Sequence, residues 1–483
     1  MRWQGNRRKG DYDMKKYGSV ILASGLLAIA LTACNGGQAI GNHADNHAAD
    51  SSSVPASNGK DDTPHGGKKT IVFSTFWQDP KYEAAKKAYE AKHPDIEIKL
   101  ESVYTSDATL ESDMEKYIST MNAAMLAGKG PDLMETDMLP VVSYVKHGLL
   151  ADLTPMIQED KAFKKSDYFT NVLDNVRFGE AMYAMPLSFF LMGLAGDEAT
   201  IAKTGVKFDD QSWTWNEFTT AAEKMIASGG LPSALSYEGP EYLLGEMVRD
   251  NYSLFVNPEK GEASFDSASF TGLMKQVKTM FDDELVSKDG RGMNAYFRSV
   301  QINSPKDYLE SMQVYGLGTK LFDPGSGDHM KLYAKPHAQD IAAGGYFKTY
   351  RSVAVSARSK VKQEAWDFVK FMLQEDNQSS DATTGFPVNK SAYEKQLAEL
   401  KKQGSFQSAE EGPLHGGMIR VDEAMLNRLD AYVNGAVHQV RDDDTDKLTD
   451  LIVKESKAFF AGQKSAEAVA SLVQNKAMTY LNE

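Results

Sequence analysis

Between Lys68 and Gly148 the chain switches repeatedly between two periodicities, and that alternation restricts the fold more than any other feature. In KKTIVFSTFWQDP, Thr70–Phe76 is a β-type run that stops at the turn-like Gln78-Asp79-Pro80. Helical spacing follows, with Tyr82, Ala85 and Tyr89 at i, i+3 and i+7, and it ends at His93-Pro94. IEIKLESV (96–103) alternates apolar and polar residues, as a half-buried strand does. The spacing then predicts a helix over 106–126 closed by AGKG, a short strand over 131–137, and a helix over 140–147 capped by Gly148. A β-α-β-α-β order implies a parallel sheet with helices on its faces. Ligands of such sheets bind outside the carboxyl ends of the strands. Those ends carry Phe76-Trp77-Gln78-Asp79 and Glu135-Thr136-Asp137.

The chain ahead of this region is of a different kind. Arg7, Arg8, Lys9, Lys15 and Lys16 precede an apolar run from Val20 to Leu31. That run is about a dozen residues, short of the ~20 that a membrane-spanning helix needs, and suits the core of a secretory signal. Small residues follow, then Leu31-Thr32-Ala33-Cys34, and Cys34 is the 1 cysteine of the 483 residues. Charges, apolar core, small residues and lone cysteine, in that order, resemble the lipobox of bacterial lipoproteins. The resemblance implies removal of residues 1–33, a diacylglycerol on the Cys34 sulfur and an acylated new amino terminus. Several acyl chains on one residue would hold the protein at a membrane. The plainer alternative is an ordinary signal peptide with an incidental cysteine. Residues 34–68 are otherwise rich in Gly, Ser, Asn, Asp and His, too polar to offset the entropy of ordering, and are expected to be a flexible tether. His43 and His47 read as tether residues, and no metal or cofactor is expected.

Beyond the tether about 415 residues remain, more than one ordinary core holds, so two lobes are expected. With no second cysteine, neither a disulfide framework nor a thiolate cluster can form in the mature chain. A net charge of −14 argues against nucleic acid or anionic lipid bound through a broad basic face. No further segment is apolar enough to span a membrane.

Five segments, in order, resemble the extracellular solute-binding proteins of ABC importers, in the large group that includes maltose-binding protein. They are AAMLAGKGPDLMETD (123–137), VKHGLLADLTP (145–155), MYAMPLSFF (182–190), SWTWNEF (212–218), and AGGYFKTYRSVAVSARSKVKQEAWDFVKFMLQEDNQ (343–378) followed by TTGFPVNKSAY (383–393). The resemblance implies an α/β, two-lobed, type II periplasmic-binding-protein-like fold, each lobe a mixed sheet flanked by helices. The chain would cross near 186–192, 338–346 and 383–388, making one lobe of 69–187 plus 343–384 and another of 192–338 plus 388–483. It also implies a monomer that closes on a solute by hinge motion and docks on permease subunits. Two stretches depart from the family: Leu194-Ala195-Gly196-Asp197 replaces a frequent Tyr-Asn pair, and 316–337 matches only vaguely.

Sugar recognition calls for aromatic faces that pack on C–H-rich rings, with carboxylates and amides for the hydroxyls. Trp77 is a stacking candidate or a core residue; Asp79 a hydroxyl acceptor or the cap of the next helix. Asp137 is a ligand contact or a second cap, and Glu135 a ligand contact or a solvent-facing residue. Phe189 lines the cleft or packs the hinge, and Tyr237 and Glu238 end a strand of the second lobe or lie on a surface loop. Tyr346, after Gly344-Gly345, meets ligand or packs the core. Trp213, Trp215 and Trp366 are assigned to structure, and Thr214-Trp215-Asn216-Glu217 has capping-box spacing.

Catalytic motifs are lacking: no G-x-S-x-G, P-loop or H-E-x-x-H occurs. Lys203-Thr204-Gly205 stands alone, since the S-x-x-K at Ser57–Lys60 falls in the tether. The expectation is therefore a non-enzymatic receptor taking an oligosaccharide. A lipid-anchored polysaccharide enzyme and a ligand sensor are the alternatives.

Overall fold

The first strand, β1 (Lys69–Thr75), buries Ile71 and Phe73 completely on one face. It pairs in parallel with β2 (Ile96–Ser102) and with β3 (Leu133–Glu135). Between β1 and β2 runs the Pro80–Lys92 helix, opened by Asp79, whose carboxylate accepts from the Lys81 N–H, and by Pro80, whose missing N–H costs nothing there. Tyr82, Ala85 and Tyr89 form its buried stripe. The Leu110–Leu126 helix connects β2 to β3, burying Tyr117, Met121 and Met125, and the Val141–Lys146 helix follows β3. The alternating order thus produces the parallel sheet its periodicity implied. This computed structural model describes residues 67–257, 260–288, 294–317, 330–379, 384–408, 415–441 and 445–482. The leader, Cys34, the tether up to Gly66 and most of the weakly matching 316–337 segment lie outside the described residues.

The sheet is extended by β4 (Met185–Asp197), a strand of 13 residues serving two sets of partners. Its first part runs antiparallel to β7 (Gly345–Val355), from Tyr346 opposite Met192 to Val353 opposite Met185. The far end of β7 pairs with β3 and so closes onto β1 and β2. The second part of β4 pairs with β5 (Phe297–Ile302) and β6 (Met330–Tyr333). Two short strands complete the sheet: β8 (Phe386–Pro387) against Phe189 and Ser188 of β4, and β9 (Ala436–Gln439) beside the start of β7. Of the segments expected to cross between lobes, the start of β7 and β8 both pair with β4, and β7 and β8 flank it on opposite edges at Ser188 and Phe189.

Three apolar clusters fill the space around this sheet. One lies between β1, β3 and the two helices over 110–126 and 141–146. A second, built on Trp213, Phe218, Phe297 and Met247, includes the long helices Thr445–Phe460 and Ala466–Asn482 through Ile452 and Val473. The third begins at Phe73, Tyr82 and Phe368 and continues through Phe189, Phe347 and Phe386 to Tyr393 and Leu429. Side chains from 388–436 thus share one cluster with the first strands, and residues from His65 onward form one compact unit.

Several local readings change in detail. The strand read over 231–237 is a two-residue ladder, Leu235–Ser236, beside Val286–Ser287. At Leu194-Ala195-Gly196-Asp197 the chain remains β4, and Asp197 caps the Glu198–Lys203 helix through the Thr200 N–H at 2.6 Å. The capping box at Thr214 and Glu217 is present in both directions, and Trp213, Trp215 and Trp366 are all buried.

Phe189 and Tyr346 expose no face to a ligand. Phe189 is 0% exposed, enclosed by Phe386, Phe169 and Phe347 at ring distances of 5.5, 5.8 and 6.2 Å. Tyr346 is 1% exposed, its ring tilted against His438 at 5.2 Å. Both side chains are enclosed by their neighbours, so packing is the role their surroundings fit. Phe189→Ala is expected to cost ~3–5 kcal/mol of stability. It would appear as a lower urea midpoint at unchanged slope. A loss below ~1 kcal/mol would mean the ring is not part of the core.

Candidate functional site

The carboxyl ends of β1 and β3 bring four of the sequence-selected residues together. As β1 ends, the Thr75 hydroxyl donates to the Trp77 carbonyl at 2.7 Å and fixes the turn. The half-buried Trp77 ring meets Phe76 edge-on at 4.6 Å and lies tilted against Tyr104 at 4.5 Å. Tyr104, which sequence reasoning did not select, comes from the segment after β2 and donates its hydroxyl to Asp107 at 2.7 Å. An aromatic pair with part of its surface in water therefore stands at the strand ends.

Beside it the charged groups are tightly interlinked. Asp79 uses one oxygen as helix cap and the other for Arg351, whose guanidinium approaches to 2.6 Å. Arg351 also donates to the Thr384 carbonyl at 3.2 Å and lies 4.9 Å over the Tyr350 ring. Tyr350 in turn stacks on Phe190 at 4.7 Å. Asp137 accepts two backbone N–H groups of β7, Arg351 at 2.6 Å and Ser352 at 2.9 Å. It caps no helix; it staples β3 to β7.

Glu135 does not face solvent as its position on a short strand allowed. It points inward and accepts the Tyr82 hydroxyl hydrogen bond at 2.7 Å, because the Pro80–Lys92 helix covers that face of β3. Burial, and then the neighbouring Asp137, push the Glu135 carboxyl up to about 8. Burial raises Asp137 as well, against the two N–H bonds that favour its charge. Lys81, on the first turn of the same helix, is lowered to about 8 by burial and by Arg351. The floor of the site is thus crowded with charges of both signs, and at neutral pH Glu135 largely keeps its proton.

A second polar group lies near the start of β7. The Tyr237 and Ser299 hydroxyls are 2.7 Å apart, and Ser299 donates to Glu246 at 3.2 Å. Lys335, buried, bonds Glu246 at 2.7 Å and forms an ion pair with Asp250. Burial alone would raise Glu246, but Lys335 and Arg249 hold its carboxyl down at about 2. Lys335 also lies 5.8 Å over the Tyr346 ring, whose hydroxyl reaches Asn251 at 3.4 Å. Ser299 and Glu238 are exposed, so this network reaches the surface beside Tyr237.

Trp77, Asp79, Glu135 and Asp137 therefore share one site, Tyr237 and Glu238 belong to another face, and Phe189 and Tyr346 are internal. Arg351 was the main omission. Its one signal was a lone guanidinium inside the strand-like run GYFKTYRSVAV. Among the described residues no three His, Cys, Asp or Glu side chains are placed to hold a metal ion, and no helix is long and apolar enough to cross a membrane.

Comparison with known proteins agrees with this architecture. The model of the bacterial extracellular solute-binding protein family matches residues 77–379, more than half of the chain. A Brucella abortus (strain 2308) protein named as a binding protein is 24% identical over 332 residues, 67% of this chain and 76% of that one. The sugar-binding protein MalE of Xanthomonas citri superposes with a TM-score of 0.59 at 14% identity, covering 86% of this chain and 98% of that chain. The family 1 solute-binding protein of Alicyclobacillus acidocaldarius gives 0.56 at 18% identity, over 86% and 99%. The cyclic alpha-maltosyl-1,6-maltose binding protein of Arthrobacter globiformis gives 0.56 at 14% identity, over the same 86% and 99%. These structures share the mixed α/β, two-lobed periplasmic-binding-protein fold. By fold and sequence alike, the chain belongs to the bacterial extracellular solute-binding protein family.

Proposed function

We propose that this protein is the solute receptor of an ABC importer, held at the outer face of a membrane by acyl chains on Cys34. It captures an oligosaccharide between the Trp77–Tyr104 end of the sheet and the Tyr237–Ser299 face, as a monomer, and delivers it unchanged to permease subunits. The observation that carries this reading is the partly exposed aromatic pair beside fixed carboxylates, the combination that sugar rings and hydroxyls require. Two of its structural neighbours, one named as a sugar-binding protein and one as a cyclic alpha-maltosyl-1,6-maltose binding protein, point the same way. Bound solute stabilises only the folded state, so melting temperature reports it directly.

In the full-length protein, a malto-oligosaccharide such as maltotetraose, or a cyclic maltosyl-maltose, is expected to change tryptophan fluorescence and raise the melting point. Trp77→Ala should weaken that binding about tenfold or more, while the ligand-free melting point stays within ~2 °C of wild type. A broad glycan panel without response would remove the sugar assignment, and new reducing ends in the mixture would replace the receptor with an enzyme.

The anchor is tested separately. Cys34→Ser should move the protein from the membrane fraction to the medium or periplasm, since the acyl chains supply the attachment. Retention of the variant on washed membranes would sink the lipid assignment.

The proton on Glu135 also has a measurable signature. Below about pH 4.5, the ordinary value of the group, it is protonated folded or unfolded. As pH rises toward about 8 the unfolded chain ionises while the folded one holds its proton, so stability falls. Above that value both forms are charged and the penalty is constant. Glu135→Gln, neutral throughout and still able to accept from Tyr82, should gain melting temperature over wild type across this window and plateau above it. A difference that is flat from pH 4 to 9 would contradict the burial of the carboxyl.

A further inference from the structure

We propose that Arg351 is a positioning residue that relays the state of the cleft floor, at Asp79 and Asp137, to the third passage of the chain at Thr384–Pro387. The inference rests on the reading above that solute binds at that floor, although its test needs no solute.

The first observation is backbone geometry. Arg351 has φ of 54°, in the left-handed region, within a strand of the central sheet. Glu284, the other described non-glycine residue there, sits on an exposed turn after a helix, where such a conformation is common. In a buried strand it persists only when several contacts over-determine it. Those contacts are the Asp137 staple on the N–H groups of Arg351 and Ser352, the Asp79 ion pair, and the Thr384 carbonyl.

The second observation is a break in the β4–β7 ladder at this point. Tyr350 pairs with Ser188 and Ser352 with Pro186, but Arg351 and Leu187 between them are not paired. Each gives its free backbone group elsewhere. The Arg351 N–H goes to Asp137 in the floor, while the Leu187 carbonyl accepts from the Gln378 side chain at 2.8 Å and the Val388 N–H at 3.4 Å. One missing rung thus serves the floor on one side and the third passage on the other.

The third passage rests directly on the same residues. Gly385 has φ of 93°, and a Cβ there would lie 2.4 Å from the Ser188 hydroxyl, so the chain can pass only as glycine. The Ser188 hydroxyl donates to the Tyr350 carbonyl at 3.0 Å, and the Arg351 guanidinium holds Thr384 one residue before that glycine. A solute hydroxyl that takes the Asp79 oxygen competes with the guanidinium, which then shifts its remaining bond on Thr384.

The test is a double-mutant cycle on the ligand-free full chain, read by hydrogen exchange of the Gly385 and Val388 amides, which bond to the Asn303 and Leu187 carbonyls. Asp79→Asn keeps a capping side chain but loses the charge that holds Arg351. It should speed exchange at both amides about tenfold, with β1 and β2 unchanged. Arg351→Gln should do the same, and adding Asp79→Asn to it should do nothing more. Arg351→Lys, which keeps charge without the fork, should fall between and provides the cycle if the glutamine variant does not fold. Unchanged exchange at 385–388 in Asp79→Asn, additive effects, or acceleration spread evenly over β1 and β2 would overturn the relay. Failure of every glycan to bind would remove the sugar reading and leave this result standing.

Discussion

The antiparallel pairing of β4 with β7 is the constraint from which the other parts take their places. β4 is long enough to carry β7 along one part and β5 and β6 along the other, so a single strand belongs to both halves of the sheet. It can do so because nearly all of Met185–Ala195 is buried, giving a continuous apolar run of the kind found where both faces are covered. Where such a run holds polar groups they must be paired internally. That requirement explains the Ser188 hydroxyl on the Tyr350 carbonyl and the Asp137 carboxylate on two N–H groups.

The parts of this fold that were legible in the sequence are those set by neighbours along the chain. The β1 to β3 region follows from its periodicity, Asp79 caps where a residue before Pro80 should, and the Thr214 box closes at its expected spacing. The site was legible as far as the strand ends, which is why Trp77, Asp79, Glu135 and Asp137 converge. What local spacing leaves open is what covers a face. Glu135 alternates outward on β3, and only the Tyr82 hydroxyl, supplied from a helix 53 positions away, turns that side into an interior. Phe189 and Tyr346 were each open to a cleft-lining or a packing role, and both side chains are buried. Arg351 in a β-run reads as a solvent-facing residue, and nothing local reveals that its N–H serves Asp137, 214 positions earlier.

The two polar groups meet β7 at different points, one at its start and the other past its middle. Tyr346, the second residue of the strand, meets Lys335 and Asn251, and Arg351, the seventh of its 11, meets Asp79 and Asp137. Charges withdrawn from water gain little net stability, because desolvation offsets most of their attraction. The apolar clusters therefore supply most of the stability, and the ionic groups add directional contacts at the two points they touch. Between those two points β7 is laddered to β4 from Tyr346 to Tyr350. β8, by contrast, meets β4 over two residues and is preceded by Gly385 at positive φ. Arg351, which bonds both Asp79 and the Thr384 carbonyl, joins the long ladder to this short one.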